Sequence, residues 1–530
     1  MGRPGTRLLA SFYFTHISFF VFLKKTPLLG SGRRIFLISG TEYPTSGKLY
    51  MIKRNLRSAF VAGATLVALA ACSSTDTDTV STTKNEFNGP KNIIMVVADG
   101  MGPAYTTAYR NYVDDSKTAI VETVVFDDLL VGNASTYPAQ VSGYVTDSAA
   151  AATALATGIK SYNGAIGVDV DKQPVQSVMH YAKQKGMRTG LAVTSQIVHA
   201  TPASYIAHNE SRKNYNAIAD DFYDVRVNGE FVADVMLGGG TRYFEREDRD
   251  VLAQFIDAGY AYADSYNRLA SVPTGSNVIG LFAPVALPWV LDDSRKNRLE
   301  YLTKQAIQQL ENDKGFFLLV EASQVDWAGH ANDIASAMAE MHDLALTIEY
   351  LKAYVSENPD TLVVLTADHS TGGLTIGARG DYRWTPSFLH KLDASASTMA
   401  KDIAGESLPG AYIEKTLGFA LTDEEKKHFD DVAKQEESER YAAIKSFLDD
   451  KTNTGWTSTG HTGVDVEVFA FGAGYNAFMG QIDNTDIAKK IFSFIDKRPV
   501  SSSGIQTNIE MTPSDDKSDT CNFKEDWRCQ

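Results

Sequence analysis

Cysteine is almost missing from this chain. Three are present among 530 residues, Cys72, Cys521 and Cys529, so no disulfide framework runs through its body. Cys521 and Cys529 can close only a short C-terminal loop, in an oxidising compartment. An excess of positive charge is missing too. The formal net charge is -15, which excludes a broad nucleic-acid surface. No long apolar run offers a membrane span: the stretch from Leu8 to Leu23 contains His16 and has sixteen residues, where a span needs about 20. No internal repeat occurs. What remains is ordinary soluble composition, 44% hydrophobic, with enough chain for two average domains or one large α/β domain with insertions.

The N-terminus reads as a processed leader. From Met51, "MIKRNLRSAFVAGATLVALAAC" carries Lys53, Arg54 and Arg57, then an apolar stretch from Ala59 to Leu69, then small residues. That is the layout of a secretory signal peptide over residues 51–71. Leu69-Ala70-Ala71-Cys72 resembles a bacterial lipobox, which implies a lipid on Cys72, and Ser73 resembles the next residue of lipoproteins sent to the outer membrane. Residues 1–50 would then be an upstream extension ahead of a start at Met51. Cleavage before Cys72 leaves 40 basic against 64 acidic residues, a charge of -24. So acidic an exterior repels anions, and an anion site needs concentrated local positive charge such as metal ions. Residues 72–90 form a polar tether, and 501–530 a polar tail.

Between them, four short apolar runs read as buried strands: Ile93 to Ala98, Phe316 to Val320, Leu362 to Leu365 and Val466 to Phe471. Helical patterns lie between, including Arg298 to Leu310 and Ala335 to Tyr354. This alternation predicts an α/β fold on a mostly parallel sheet, spanning 91–500. Residues 379–457 break the alternation. They are mostly helical and strongly charged, with a capping box at Thr422 and Glu425, and read as an inserted subdomain.

Acids and histidines fall where such a sheet binds ligands. The first run ends at Asp99 and the second at Glu321; the third precedes Asp368 and His369, and His461 just precedes the fourth, read as the last strand. Ligands of open α/β sheets sit beyond the carboxyl ends of the strands. Asp326 and His330, four apart, share a face if helical, which suits two ligands on one ion. Asp368 and His369 converge only in a bend, for which "HSTGG" is suited. Taken singly, each is more readily a surface acid or a satisfied histidine than a ligand. Together, carboxylate and imidazole suit zinc, and carboxylate with hydroxyl suits magnesium. The stretch "TDSAAAATALATG" adds a serine before an alanine-rich helix. Asp147 or Ser148 is an N-cap there, or Ser148 is a nucleophile at a helix end that favours phosphate. His180, His208, His342, His390 and His428 keep structural readings.

"ADGMG", "TDSAAAATALATG", "HATPASYIAH", "SRK", "VEASQVDWAGH", "TADHSTGG" and "GHTG" resemble, in order and context, the motifs of alkaline phosphatases over about Asn92 to Ile495. The resemblance implies a three-layer sandwich, the insertion being similar to the family's crown, and hydrolysis of small phosphate monoesters at alkaline pH. It implies Ser148 as nucleophile and Arg212 as phosphate clamp. It further implies one zinc on Asp326, His330 and His461, a second on Asp99, Asp368 and His369, and one magnesium on Asp99, Thr201 and Glu321 with His199 beside them. A homodimer, lipid-anchored at the periplasmic face of the outer membrane, is the implied assembly.

Two positions depart from parts of the family. Trp327 stands where some members carry lysine, and His199 where some carry aspartate, which implies altered phosphate affinity and magnesium dependence. Related chemistries are less well matched. "DSAAAA" lacks the Ser/Cys-x-Pro-x-Arg of sulfatases, and diesterases typically lack the third metal site. A phosphate- or metal-binding lipoprotein without turnover would lack Ser148, Arg212 or a ligand, and all are present.

Overall fold

The computed structural model describes residues 89–497. The extension, the signal peptide, Cys72 with its tether as far as residue 88, and the tail with Cys521 and Cys529 lie outside the described residues.

Ten strands form one sheet: β1 (Asn92–Val97), β2 (Leu130–Ser135), β3 (Arg188–Gln196), β4 (Val235–Gly239), β5 (Ala261–Ala263), β6 (Val278–Leu281), β7 (Phe316–Glu321), β8 (Thr361–Thr366), β9 (Val466–Gly472) and β10 (Gly480–Asp483). Their spatial order is β10-β2-β9-β8-β1-β7-β3-β4-β6-β5. Every pairing is parallel except those of β9 with β8 and β2. Each of the four expected strands is present, the first shifted by one residue to start at Asn92 and end at Val97, the others extended by one or two residues. Every residue of β1, β7 and β8 is buried. Strands covered on both faces read as unbroken apolar runs, which is why these three stand out in the sequence. β9 is not the last strand, because β10 follows it and pairs with β2.

The helices that matter for the site are α1 (Ser148–Thr157), α2 (Arg298–Leu310), α3 (Gln324–Ala331) and α4 (Ile334–Glu357). Asp147, not Ser148, caps α1: its side chain accepts from the Ala150 N–H at 2.9 Å. Four successive alanines then favour the helix, and Gly158 ends it in the left-handed conformation, φ 75°.

The inserted segment carries α5 (Ala396–Asp402), α6 (Pro409–Leu417), α7 (Asp423–Val432) and α8 (Glu437–Thr452). The capping box of Thr422 and Glu425 opens α7 as expected. A two-residue antiparallel ladder, Thr375–Ile376 on Thr454–Gly455, closes the segment at its base. No helix among the described residues is long and apolar enough to cross a membrane.

Candidate active site and metal centre

The carboxyl ends of β1, β7 and β8 lie side by side in the middle of the sheet, so Asp99, Glu321 and Asp368 emerge at one edge. β9 runs against its neighbours, so its beginning lies at the same edge. That brings in His461, which precedes it. The turn after β1 crosses α3 so closely that a Cβ on Gly100 (φ +77°) would stand 2.5 Å from the Asp326 Cα. Only glycine allows this approach.

On α3, Asp326 and His330 share a face, with His330 Nε2 3.4 Å from Asp326 Oδ2. The His330 Nδ1 faces the Thr459 carbonyl at 2.6 Å, and the His461 Nδ1 the Thr146 carbonyl at 2.8 Å. Each carbonyl only accepts, so each Nδ1 carries a proton, which turns both Nε2 atoms towards the same space. Those two atoms face one another at 3.1 Å, and Asp326 Oδ1 lies 3.7 Å from His461 Nε2. Two imidazole nitrogens and a carboxylate at such range form a donor set that a cation fits.

The neighbouring set is of the same kind. His369 Nε2 lies 3.2 Å from Asp368 Oδ2 and 3.6 Å from Asp99 Oδ1, and its ring stacks on His461 with centroids 3.5 Å apart. The chain bends at Asp368 itself, ahead of the glycines expected to provide the turn. A third group joins Asp99 and Glu321 to His199, and the Thr201 hydroxyl, close enough to lower the Glu321 carboxyl, is buried without a hydrogen-bond partner. Both oxygens of Asp99, Oδ2 of Asp368 and Oε1 of Glu321 are buried and accept no hydrogen bond. Such groups normally find a partner. Burial, with Asp368 next to it, pushes the Asp99 carboxyl well up. Burial carries Asp368 to about 7 and Glu321 to about 8. Burial, then His461 and His330, holds His369 neutral.

Ser148 opens α1 with its Oγ 3.1 Å from His369 Nε2. Arg212 reaches the same space from the loop after β3. It donates to Asp147 Oδ2 at 3.2 Å, and its Nη2 lies 3.1 Å from His199 Nε2. Burial opposes the charge on Arg212, but Asp147, Tyr215 and Asp99 keep it protonated. All eleven residues singled out from the sequence thus belong to one connected cluster. His369 also lies within reach of Asp326 and His461, so the two zinc sets expected from the resemblance share a border. The two departures touch, the edge of Trp327 meeting the His199 ring with centroids 5.7 Å apart.

Sequence reasoning missed the supports. Thr371 donates to Asp326 Oδ1 and lies 3.2 Å from His369 Nδ1, while Ser195 donates to Glu321 Oε2 at 3.3 Å. Thr371 lies within "TADHSTGG", so that motif could have pointed to it. Ser195 carries no such signal. The five other histidines among the described residues are structural: His180 and His208 stack on one another, and His342, His390 and His428 pack against Tyr109, Tyr112 and Phe429.

A family model described as alkaline phosphatase matches residues 90–496. Alkaline phosphatase 3 of Bacillus subtilis is 46% identical over 412 residues, which cover 76% of this chain and 88% of that protein. The chain belongs to the alkaline phosphatase family. A cold-active alkaline phosphatase from the psychrophile Shewanella sp. has the same fold, with TM-score 0.73 and 50% identity over 76% of this chain and 99% of that one. The enzyme of the Antarctic bacterium TAB5 gives TM-score 0.57 at 28% identity, covering 77% and 98%. A variant of it carries magnesium in its M3 site. The protein is therefore a phosphomonoesterase of a metal-dependent family, and its buried, unneutralised donor clusters fit divalent cations.

Proposed function

We propose that this alkaline phosphatase works through a phosphoserine on Ser148, with two zinc ions and one magnesium in the three donor sets. Asp326, His330 and His461 would hold one zinc, and Asp99, Asp368 and His369 the other. Asp99, Thr201 and Glu321, with His199 beside them, would hold magnesium. The observation that carries the reading is the Ser148 hydroxyl at the head of α1, against His369 and facing a guanidinium anchored by Asp147.

Bound there, such ions lower the pKa of the serine hydroxyl and offset charge developing on the phosphoryl and leaving oxygens. The chain does the rest. The Arg212 guanidinium binds two phosphoryl oxygens and orients the phosphorus over Ser148 Oγ. The free N–H groups at the start of α1 favour the same anion. Ser148 Oγ attacks phosphorus, the ester oxygen leaves with a proton as the free alcohol, and water then hydrolyses the phosphoserine to restore the hydroxyl.

His199 and Trp327, set edge to face, alter magnesium dependence and phosphate affinity without abolishing turnover. The insertion acts as a crown at the site mouth or a subunit interface. The mature protein is a lipid-anchored homodimer held by Cys72 at the periplasmic face of the outer membrane. Cys72→Ser would then release it from the membrane fraction, and sedimentation would show a species of twice the chain mass.

The deciding experiment compares p-nitrophenyl phosphate with its bis ester at alkaline pH. Fast monoester turnover, lost in Ser148→Ala and restored to chelated enzyme by zinc plus magnesium, is the expected result. Preference for the bis ester would move the protein to diesterase chemistry.

A further inference from the structure

Glu321 is held by two hydroxyls in series. It ends β7, and β3 runs parallel beside it with Val193 opposite Glu321. Ser195 lies two residues beyond Val193, and Ser323 two beyond Glu321, so the register brings both serines to the one carboxylate. All three side chains are fully buried.

The Ser195 hydroxyl lies 3.3 Å from Glu321 Oε2. An ionised carboxylate only accepts, so Ser195 gives its one proton to Glu321 and can only accept from Ser323, whose hydroxyl lies 3.0 Å away. Ser323 is pinned in turn. Its hydroxyl accepts the Ser195 N–H at 3.1 Å, and its own N–H donates to Thr194 Oγ1 at 2.9 Å. The protons therefore run one way, from Ser323 to Ser195 to Glu321, and each link polarises the next.

This treats the two Glu321 oxygens unequally. Oε2 is engaged by the hydroxyl chain, whereas Oε1 is buried and accepts no hydrogen bond. One oxygen is thus left for the set that Glu321 forms with Asp99 and His199. The number of oxygens offered decides which ion fits. Magnesium demands near-octahedral ligands at about 2.0–2.1 Å, a geometry that the narrow bite of two oxygens on one carboxylate does not suit. Calcium, with ligands at about 2.3–2.6 Å and a higher coordination number, gains from a carboxylate that offers both.

We propose that Ser195 and Ser323 are positioning residues that keep Glu321 a one-oxygen ligand and so select magnesium over calcium in the third donor set. The inference rests on the three-cation reading above. Both serines act through Glu321, and neither is itself a donor of the set.

The test is equilibrium dialysis of zinc-loaded enzyme against magnesium or calcium, with bound metal read by elemental analysis, for the wild type, Ser195→Ala, Ser323→Ala and Ser195→Thr. The wild type binds magnesium more tightly than calcium. In Ser195→Ala the released carboxylate can turn both oxygens to the ion. The magnesium Kd then rises about tenfold, as for a lost contact behind a metal ligand, and the calcium Kd does not rise with it. Ser323→Ala moves the ratio the same way by less, and Ser195→Thr, which keeps the hydroxyl, holds the wild-type ratio. Zinc content stays at the wild-type level throughout. If Ser195→Ala fails to hold zinc, Ser323→Ala decides by the same ratio. An unchanged ratio of the two Kd values, or a wild type that prefers calcium, overturns the inference and leaves the three-cation enzyme standing. A wild type that binds no magnesium overturns both readings.

Discussion

Two buried clusters of charge adjoin α3, and they are solved differently. At its start, Arg298 is fully buried and donates to both Glu340 oxygens at 2.8 and 3.0 Å, with Asp343 Oδ2 3.3 Å from its Nη1. The Val290 and Leu299 N–H groups complete the acids, and Gln324 links Arg298 to α3. Every acid there has a donor from the chain. Beside it, Asp99, Glu321, Asp326 and Asp368 gather around four histidines, of which burial lowers His369 and His461, and Arg212 reaches the same space. The first cluster sets a guanidinium against its acids, although the Arg298 Nε has no hydrogen-bond partner; the second is arranged for cations from outside. Burial alone does not mark a functional site, but buried charge that the chain leaves unbalanced does.

The sharpest way to break that contrast is to remove what completes the second cluster. Ser148→Ala is expected to lower kcat by at least about 10³-fold while bound zinc and magnesium, measured by elemental analysis, stay at wild-type levels. Chelation is expected to abolish turnover and also to lower the melting temperature. Ligands at about 1,000 times their Kd each stabilise by about 4 kcal/mol, and calorimetry reads the loss. An unchanged melting temperature would mean that the second cluster is closed without cations.

The converse experiment opens the first cluster. Arg298→Met strands Glu340 and Asp343 and is expected to cost about 3–5 kcal/mol in chemical denaturation, with metal content retained. Arg212→Lys keeps charge but loses the two-pronged grip, so KM for phosphate esters rises about tenfold.

A further effect concerns pH. Burial raises Asp343 to about 7 in the folded protein, so the folded state holds a proton that the unfolded state gives up near 4. Its penalty therefore grows from pH 4 to 7 and levels off above. Asp343→Asn is expected to gain on the wild type by about 3 kcal/mol between pH 5 and 8, read from denaturation at those two values.

These contrasts also explain what was legible in sequence. β1, β7 and β8 are buried on both faces, and their terminal acids follow directly, so the metal edge could be placed without a structure. β4 contains Gly238 and Gly239, β5 has three residues, and β10 reads Gly480-Gln481-Ile482-Asp483; none offers a run or an alternation. The antiparallel sense of β9, which delivers His461 to the correct edge, has no signature in one chain. Nor has the Arg298 network, whose partners lie 26 to 45 positions away and obey no period.

The ladder of Thr375–Ile376 on Thr454–Gly455 has a consequence for how this enzyme can change. The inserted segment leaves and rejoins the body at one point, so its length can vary at little entropic cost. Its helices can be rebuilt while β8 and β9 keep His369 and His461 where they are. Natural variation and protein engineering alike can therefore exchange this cassette while inheriting the donor edge unaltered.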